Sequence, residues 1–187
     1  MRVIKLLVIT LLINSLIACS IVRESDVNAE HQAKELIDLG VLALQENDLD
    51  RAEAAFDLAS EIAPIPEALD GLGCVALKRG QVRLAEYFFI SAYEYDSNYT
   101  TALANLAFLY DTNGLHSDAE NLYKTTLLTD PRNFKARNNY AALLADYNDK
   151  KDVELSKKQL LKAEALAAHP VIVNNLKKLG AQTEVFE

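Results

Sequence analysis

The segment "AEAAFDLA" at residues 52–59 is the strongest indication of the fold, because its pattern returns twice along the chain. It is found again as "AEYFFISA" at residues 85–92 and as "AENLYKTT" at residues 119–126. Each copy begins with alanine and has an aromatic residue at its fifth position. Residues three, four and seven apart share one face of an α-helix. The segment therefore predicts a repeated helix whose small residues allow close packing and whose aromatic ring fills the space towards the next element.

A second pattern precedes each of these helices, at spacings of 33, 34 and 34 residues. It pairs a large residue with a small one, as Leu39-Gly40, Leu72-Gly73, Leu106-Ala107 and Tyr140-Ala141. Between the two patterns, one turn position holds Asn47, Gly80, Gly114 and Asn148. Glycine and asparagine tolerate the left-handed backbone that ends many helices. Each repeat is thus predicted to be a pair of helices joined by a tight turn.

Together the two patterns resemble the tetratricopeptide repeat (TPR) family, in which helix A carries the large–small pair and helix B carries Ala-x3-Phe-x2-Ala. The resemblance implies an all-α fold, a right-handed α-solenoid of TPR helix hairpins with a C-terminal capping helix. We expect TPR 1 at 33–65, TPR 2 at 66–99, TPR 3 at 100–133 and TPR 4 at 134–169.

The fourth repeat departs from the pattern. Its helix B matches best at Ser156, Leu160 and Ala163, displaced by three residues that fall in the polar turn "YNDKKD". A solenoid must cover its last apolar face, so residues 170–180 are predicted to be the capping helix, ended by Gly180. Residues 181–187 are predicted to be a flexible tail.

The N-terminus has the composition of a secretory signal peptide over residues 1–18. Arg2 and Lys5 form a basic head, and the apolar run that follows is shorter than the roughly 20 residues that span a bilayer. The end of this run, "LIAC" at residues 16–19, resembles the lipobox of bacterial lipoproteins. That resemblance implies fatty acylation of Cys19 as the mature N-terminus, followed by a lipidated tether at 19–32. An ordinary cleaved signal peptide is the alternative.

Residue Ser20 follows the lipobox cysteine, and in lipoproteins sorted by this position a residue other than aspartate implies the outer membrane. We therefore expect a protein that is anchored by lipidated Cys19 and faces the periplasm. Removal of residues 1–18 would change the net charge from −8 to −10, because Arg2 and Lys5 are lost and no acidic residue precedes Cys19. Acylation of Cys19 leaves Cys74 without a disulfide partner.

Catalytic or metal-binding patterns are not found in the sequence. The three histidines are not at metal-ligand spacing with other ligand residues, and Cys74 lies where TPR helices usually hold a small apolar residue. The chain has no glycine-rich phosphate loop, and its acidic balance without a basic cluster argues against nucleic-acid binding. We expect no enzyme activity, no cofactor and no metal.

A binding surface is the remaining prediction. In TPR proteins helix A lines the concave groove, and the resemblance places an apolar row there: Val41, Cys74, Phe108 and Ala142. A second row, Asn105, Asn139 and Asn175, resembles the asparagine ladder by which some TPR grooves bind a peptide backbone. The alternative is that these asparagines are ordinary polar residues on exposed helix faces.

Two further surfaces carry more apolar residues than one core face requires. The first helix A is apolar nearly all round, so it needs cover from the N-terminal segment or from a partner. In the second repeat Tyr87, Phe88 and Tyr95 lie in helix B. They either pack against neighbouring repeats or form a contact patch on the convex side.

The signal peptide, lipobox and repeats together resemble the small TPR lipoproteins of pilus assembly, both pilotin-type and tight-adherence. The resemblance implies an adaptor that holds an apolar or amphipathic segment of a protein partner, such as a secretin or a pilus component. An outer-membrane scaffold that docks peptidoglycan enzymes is the alternative.

Overall fold

The computed structural model describes residues 27–146, 150–167 and 169–183, and this part of the chain is helical without a strand. The signal peptide, Cys19, the turn residue Asn148 and residues 184–187 lie outside the described residues. None of the described helices is long and apolar enough to cross a membrane. The helices are α1 (27–45), α2 (Leu49–Ile62), α3 (Pro66–Lys78), α4 (Val82–Tyr95), α5 (Thr100–Thr112), α6 (His116–Thr129), α7 (Phe134–Asp146), α8 (Lys150–Leu166) and α9 (Pro170–Thr183).

The turns inside the hairpins have the backbone conformation that the sequence predicts. Asn47, Gly80 and Gly114 have φ angles of 61°, 72° and 80°, in the left-handed region. In the first hairpin the Asp48 carboxylate then accepts a hydrogen bond from the Arg51 backbone N–H over 3.2 Å, which caps α2. The left-handed turn residue ends one helix, and the next residues start its partner.

The chain divides into two compact units, Met1–Gly71 and Leu72–Glu187, called here the N-terminal and C-terminal units. In the N-terminal unit the buried Phe56 ring of α2 lies against two glycines. A Cβ atom added to Gly40 would be 2.7 Å from the ring, and one added to Gly71 would be 2.5 Å from it. The two positions are therefore restricted to glycine by the aromatic ring that they contact. Ala33, on α1, also packs into the buried core of this unit.

In the C-terminal unit each helix from α4 to α9 packs against the next one. In addition, α7 contacts both α5 and α9, which are two helices away in the chain. Phe89 and Tyr123 are fully buried at the aromatic position of helix B. Helix α9 covers the end of the unit, because its Ile172 and Leu179 are buried together with Leu160 of α8. The all-α fold of stacked hairpins with a C-terminal capping helix is confirmed.

Two predicted boundaries are wrong. Residues 27–32, predicted as tether, belong to α1, where Glu30 pairs with Lys34 at 2.7 Å and His31 contacts Glu35 at 3.5 Å. Such pairs four residues apart stabilise a helix. The second error is at Gly180, because α9 continues through it to Thr183. A glycine weakens a helix interior by about 1 kcal/mol, but it does not by itself end the helix.

Candidate functional site

The apolar row predicted for the groove lies at the surface of the helices. Val41, in the N-terminal unit, is 42% exposed, and Phe108, in the C-terminal unit, is 39% exposed. Ala142 is exposed and Cys74 is half-buried, both in the C-terminal unit. All four are on helix A of their hairpins, but Cys74 also packs against the buried core of the C-terminal unit. Val41, Phe108 and Ala142 are therefore available as a surface, and Cys74 is available only in part.

The three predicted asparagines are half-buried and take part in hydrogen bonds within the protein. The Asn105 side-chain amide donates to Cys74 Sγ over 3.7 Å. The Asn175 amide donates to Asn138 Oδ1 over 2.9 Å, and the Asn138 amide donates to Asn139 Oδ1 over 3.2 Å. Asn138, which the sequence did not single out, thus connects two of the predicted residues. Its only signal was its place beside Asn139.

An open pocket of about 170 Å³ lies among α7, α8 and α9 and brings Ala142 and Asn175 together. Ala145 and Leu160 contribute apolar walls, and Lys178 and Asp146 add one charge of each sign. The pocket therefore combines one member of the apolar row with one member of the asparagine row. It has room for a small apolar group beside a polar amide.

A second pocket, of about 210 Å³, lies between α7 and the start of α9. Asn138 and Asn139 line it, together with Phe134, His169 and Val171. The Phe134 and His169 rings lie with their centroids 6.4 Å apart. The Asn175–Asn138 hydrogen bond consequently joins a residue of the first pocket to a residue of the second.

We call the surface formed by Cys74, Phe108, Ala142, Asn105, Asn138, Asn139 and Asn175 the groove surface. All seven belong to the C-terminal unit. Within the described residues, no group of three His, Cys, Asp or Glu side chains is placed to hold a metal ion. Cys74 contacts an asparagine amide on this surface. The surface thus offers apolar contacts and amide hydrogen bonds.

Behind the groove surface, Tyr123 of α6 is fully buried. Its hydroxyl has no hydrogen-bond partner within the described part of the chain, although the Asn139 amide comes near it. Burial, and secondarily the charge of Asp111, raise the pKa of the Tyr123 hydroxyl far above its usual value. The phenol therefore remains protonated.

Comparison with known proteins identifies the fold. The structure of TTC0263, a thermophilic TPR protein of Thermus thermophilus, matches with a TM-score of 0.71 at 21% identity, over 81% of this chain and 82% of that chain. The fold is that of the TPR proteins. PilF of Pseudomonas aeruginosa matches with a TM-score of 0.71 at 18% identity, over 85% of this chain and 72% of that one.

A third TPR structure is YrrB, described as having an unusual peptide-binding site. It matches with a TM-score of 0.55 at 21% identity, over 78% of this chain and 74% of that chain. No family model matches the sequence, and no curated protein matches it significantly. At these identities the likeness establishes the TPR fold.

The first TPR helix A differs from its successors in exposure. Leu39 and Leu42 are 46% and 45% exposed, whereas the residues at the same repeat positions in the next helix A, Leu72 and Val75, are buried. The sequence predicts that this apolar face needs cover. The structure shows that the two leucines contact solvent in the described part of the N-terminal unit.

Proposed function

We propose that the protein is an adaptor that binds an apolar or amphipathic segment of a partner protein on the groove surface. The pocket that holds both Ala142 and Asn175 carries this proposal. A cavity of about 150 Å³ can hold a benzene-sized group, so the pocket has the size for one apolar side chain. Helix-in-groove and extended-peptide recognition both use such anchoring pockets.

The asparagines supply the polar half of the recognition. A side-chain amide offers a donor and an acceptor, which are the groups that a peptide backbone requires. A bound peptide can exchange with the Asn175–Asn138 and Asn105–Cys74 contacts at little net cost, since one hydrogen bond replaces another. Affinity would then come from the apolar pockets, and the amides would align the backbone of the ligand.

We further propose that the adaptor is lipidated on Cys19, faces the periplasm from the outer membrane and assists the assembly of a pilus or its secretin. The support is the lipobox sequence at residues 16–19, with Ser20 after it, and the likeness in fold to PilF. A Cys19→Ser variant tests the anchor: incorporation of labelled palmitate and recovery in the membrane fraction should both be lost. Retention of both in that variant would exclude lipidation at Cys19.

A photo-crosslinking amino acid placed at Ala142 in the full chain tests the groove and names the partner. Because Ala142 is exposed, the change leaves the core intact. The matched control carries the same amino acid at Leu128, which is 83% exposed on α6 and outside the groove surface. We expect a secretin or pilus protein to be captured from cells at position 142 and not at 128. Capture of a peptidoglycan enzyme would instead support the scaffold function, and equal capture at both sites would exclude the groove.

A further inference from the structure

The outward face of α4 carries an exposed row of large apolar residues. Tyr87 is 62% exposed and Ile90 is 37% exposed, and Leu84 and Tyr95 extend the row on either side. The Tyr87 ring also packs edge-on against Phe88, with centroids 5.5 Å apart, which holds it in place. Exposed tyrosines with restricted side chains are typical anchors of protein interfaces.

The TPR fold does not require this row. The positions equivalent to Tyr87 and Ile90 are small or polar in the other two regular repeats: Ala54 and Asp57 in α2, Asn121 and Lys124 in α6. Tyr87 and Ile90 are exposed and are not part of the buried cluster that Phe89 of the same helix forms with α3 and α5. Among the three regular repeats the apolar row is thus confined to α4 and calls for an explanation outside the fold.

Two charged residues flank the row, and their order is informative. Arg83, Tyr87, Ile90 and Glu94 follow one another at intervals of four, three and four residues, which is the spacing of a coiled-coil seam. Arg83 is in the first turn of α4 and Glu94 in the last turn. Both charges therefore oppose the helix dipole, whereas the position of Arg83 is occupied in α2 by Asp50.

We propose that this seam is the docking surface for a second copy of the chain, with the two α4 helices antiparallel. The seam is symmetric about the point between Phe88 and Phe89. In that register Tyr87 of each copy meets Ile90 of the other, and each Arg83 meets the other Glu94. Symmetric dimers need a self-complementary patch of this kind. The antiparallel arrangement also places each charge beside the helix end that favours it.

The interface is small, since one helix face supplies it, and the chain is acidic with a net charge of −8. A weak, reversible dimer follows from both facts. The two Arg83–Glu94 contacts define the register and orientation of the pair, and the Tyr87–Ile90 contacts supply apolar burial. The dimer is independent of the groove surface and does not rest on the proposed function.

A zero-length carbodiimide cross-linker tests the register in the full chain. Arg83→Lys keeps the charge and provides an amine that can be joined to the Glu94 carboxylate. Within one copy these residues are 11 positions apart on a helix, about 16 Å, so a peptide that links position 83 to Glu94 can only form between two copies. We expect mass spectrometry to find this linked peptide, and its absence would overturn the proposal.

Tyr87→Asn with Ile90→Lys, added to Arg83→Lys, tests the apolar part of the seam by giving α4 the residues of α6. The yield of the linked peptide should fall at least about tenfold. Leu128→Lys in the same background is the matched control, because it removes an exposed apolar residue from α6, and its yield should be unchanged. Circular dichroism verifies that each variant is folded. An undiminished yield in the double substitution would overturn the seam.

Charge exchange separates self-pairing from binding to a different protein. In the Arg83→Glu, Glu94→Lys variant, each copy again presents opposite charges to the other, so the peptide that links positions 83 and 94 should form as in the Arg83→Lys chain. A different partner with fixed charges would lose its contacts, and no linked peptide would result. Photo-crosslinking at Ala142 should be unchanged in the Tyr87→Asn, Ile90→Lys variant, which separates failure of the dimer from failure of the adaptor function.

Discussion

The Asn175 side-chain amide donates a hydrogen bond to Asn138 Oδ1 over 2.9 Å and so ties the capping helix α9 to α7. Asn138 in turn donates to Asn139 Oδ1 over 3.2 Å. The capping helix therefore does more than cover the core with Ile172 and Leu179. It also contributes one end of the amide chain that lies between the two pockets of the groove surface.

Asn138→Ala should lower the free energy of unfolding and weaken the binding of the partner segment. It removes the acceptor of Asn175 and the donor to Asn139, each worth about 1 kcal/mol at most in a half-buried site. Urea denaturation measures the first effect, and photo-crosslinking at Ala142 measures the second. Asn121→Ala, an exposed asparagine of α6, is the control. A crosslinking yield in Asn138→Ala that equals that of the control would mean that the amide chain plays no part in binding.

Gly73→Ala should destabilise the protein by about 1–3 kcal/mol. The added Cβ would lie 2.5 Å from Phe89 Cε1, and the Phe89 ring is fully buried, so a neighbour in the core would have to shift. Gly180→Ala is the opposite case, because its Cβ would meet nothing within 4 Å and it lies inside α9. It should stabilise by up to about 1 kcal/mol. Thermal or urea unfolding of both variants measures the two changes in the free energy of unfolding. Changes of the same sign and size would contradict the packing described for Phe89.

The sequence predicts what depends on short-range periodicity. The large–small pairs, the aromatic position of helix B and the left-handed residues Asn47, Gly80 and Gly114 all follow from spacing, because each repeat must present the same surfaces to its neighbours. The contacts between side chains of different helices do not follow from this spacing. Asn138 bonds to a residue 37 positions away, and the Tyr110 hydroxyl donates to Glu86 over 2.6 Å between α5 and α4.

The Tyr110–Glu86 contact also shows why side-chain contacts between helices cannot be predicted from the repeat pattern. The hydrogen bond to Glu86 and partial burial raise the pKa of Tyr110 to about 12. In the next repeat Glu120 takes the place of Glu86, but the tyrosine that donates to it is Tyr140, from a different helix position, over 3.1 Å. Carboxylates at the same repeat position thus accept hydrogen bonds from residues at different repeat positions, depending on the local geometry. Neither pair has a signature in the spacing of the sequence.

Asp57→Asn should raise the free energy of unfolding at neutral pH by about 0.5 kcal/mol. Burial, and then the charges of Glu53 and Glu61, raise the pKa of Asp57 above its usual value. A raised carboxyl pKa means that the folded state binds the proton of Asp57 more tightly than the unfolded state does. The free energy of unfolding therefore falls as the pH rises from about 4 through the folded pKa of this residue. The variant should lose that part of the pH dependence in urea titrations.

The control for this pH effect is Asp118→Asn. Asp118 lies in the first turn of α6, where a negative charge stabilises the helix dipole. Its substitution should therefore lower the free energy of unfolding at neutral pH, the opposite sign to Asp57→Asn. If both variants change stability in the same direction, the like-charge repulsion along α2 is not the cause.

Tyr123→Phe should stabilise the protein by up to about 1 kcal/mol, because it removes a buried hydroxyl that has no hydrogen-bond partner within the described residues. The two equivalent positions already hold Phe56 and Phe89. The reverse change, Phe89→Tyr, should destabilise, since it places a hydroxyl in the same kind of site beside Gly73. Calorimetry on both variants measures the difference. If Tyr123→Phe lowers the unfolding temperature, then the hydroxyl is hydrogen-bonded in solution, and the nearby Asn139 amide of the groove surface is the group that would have to supply the bond.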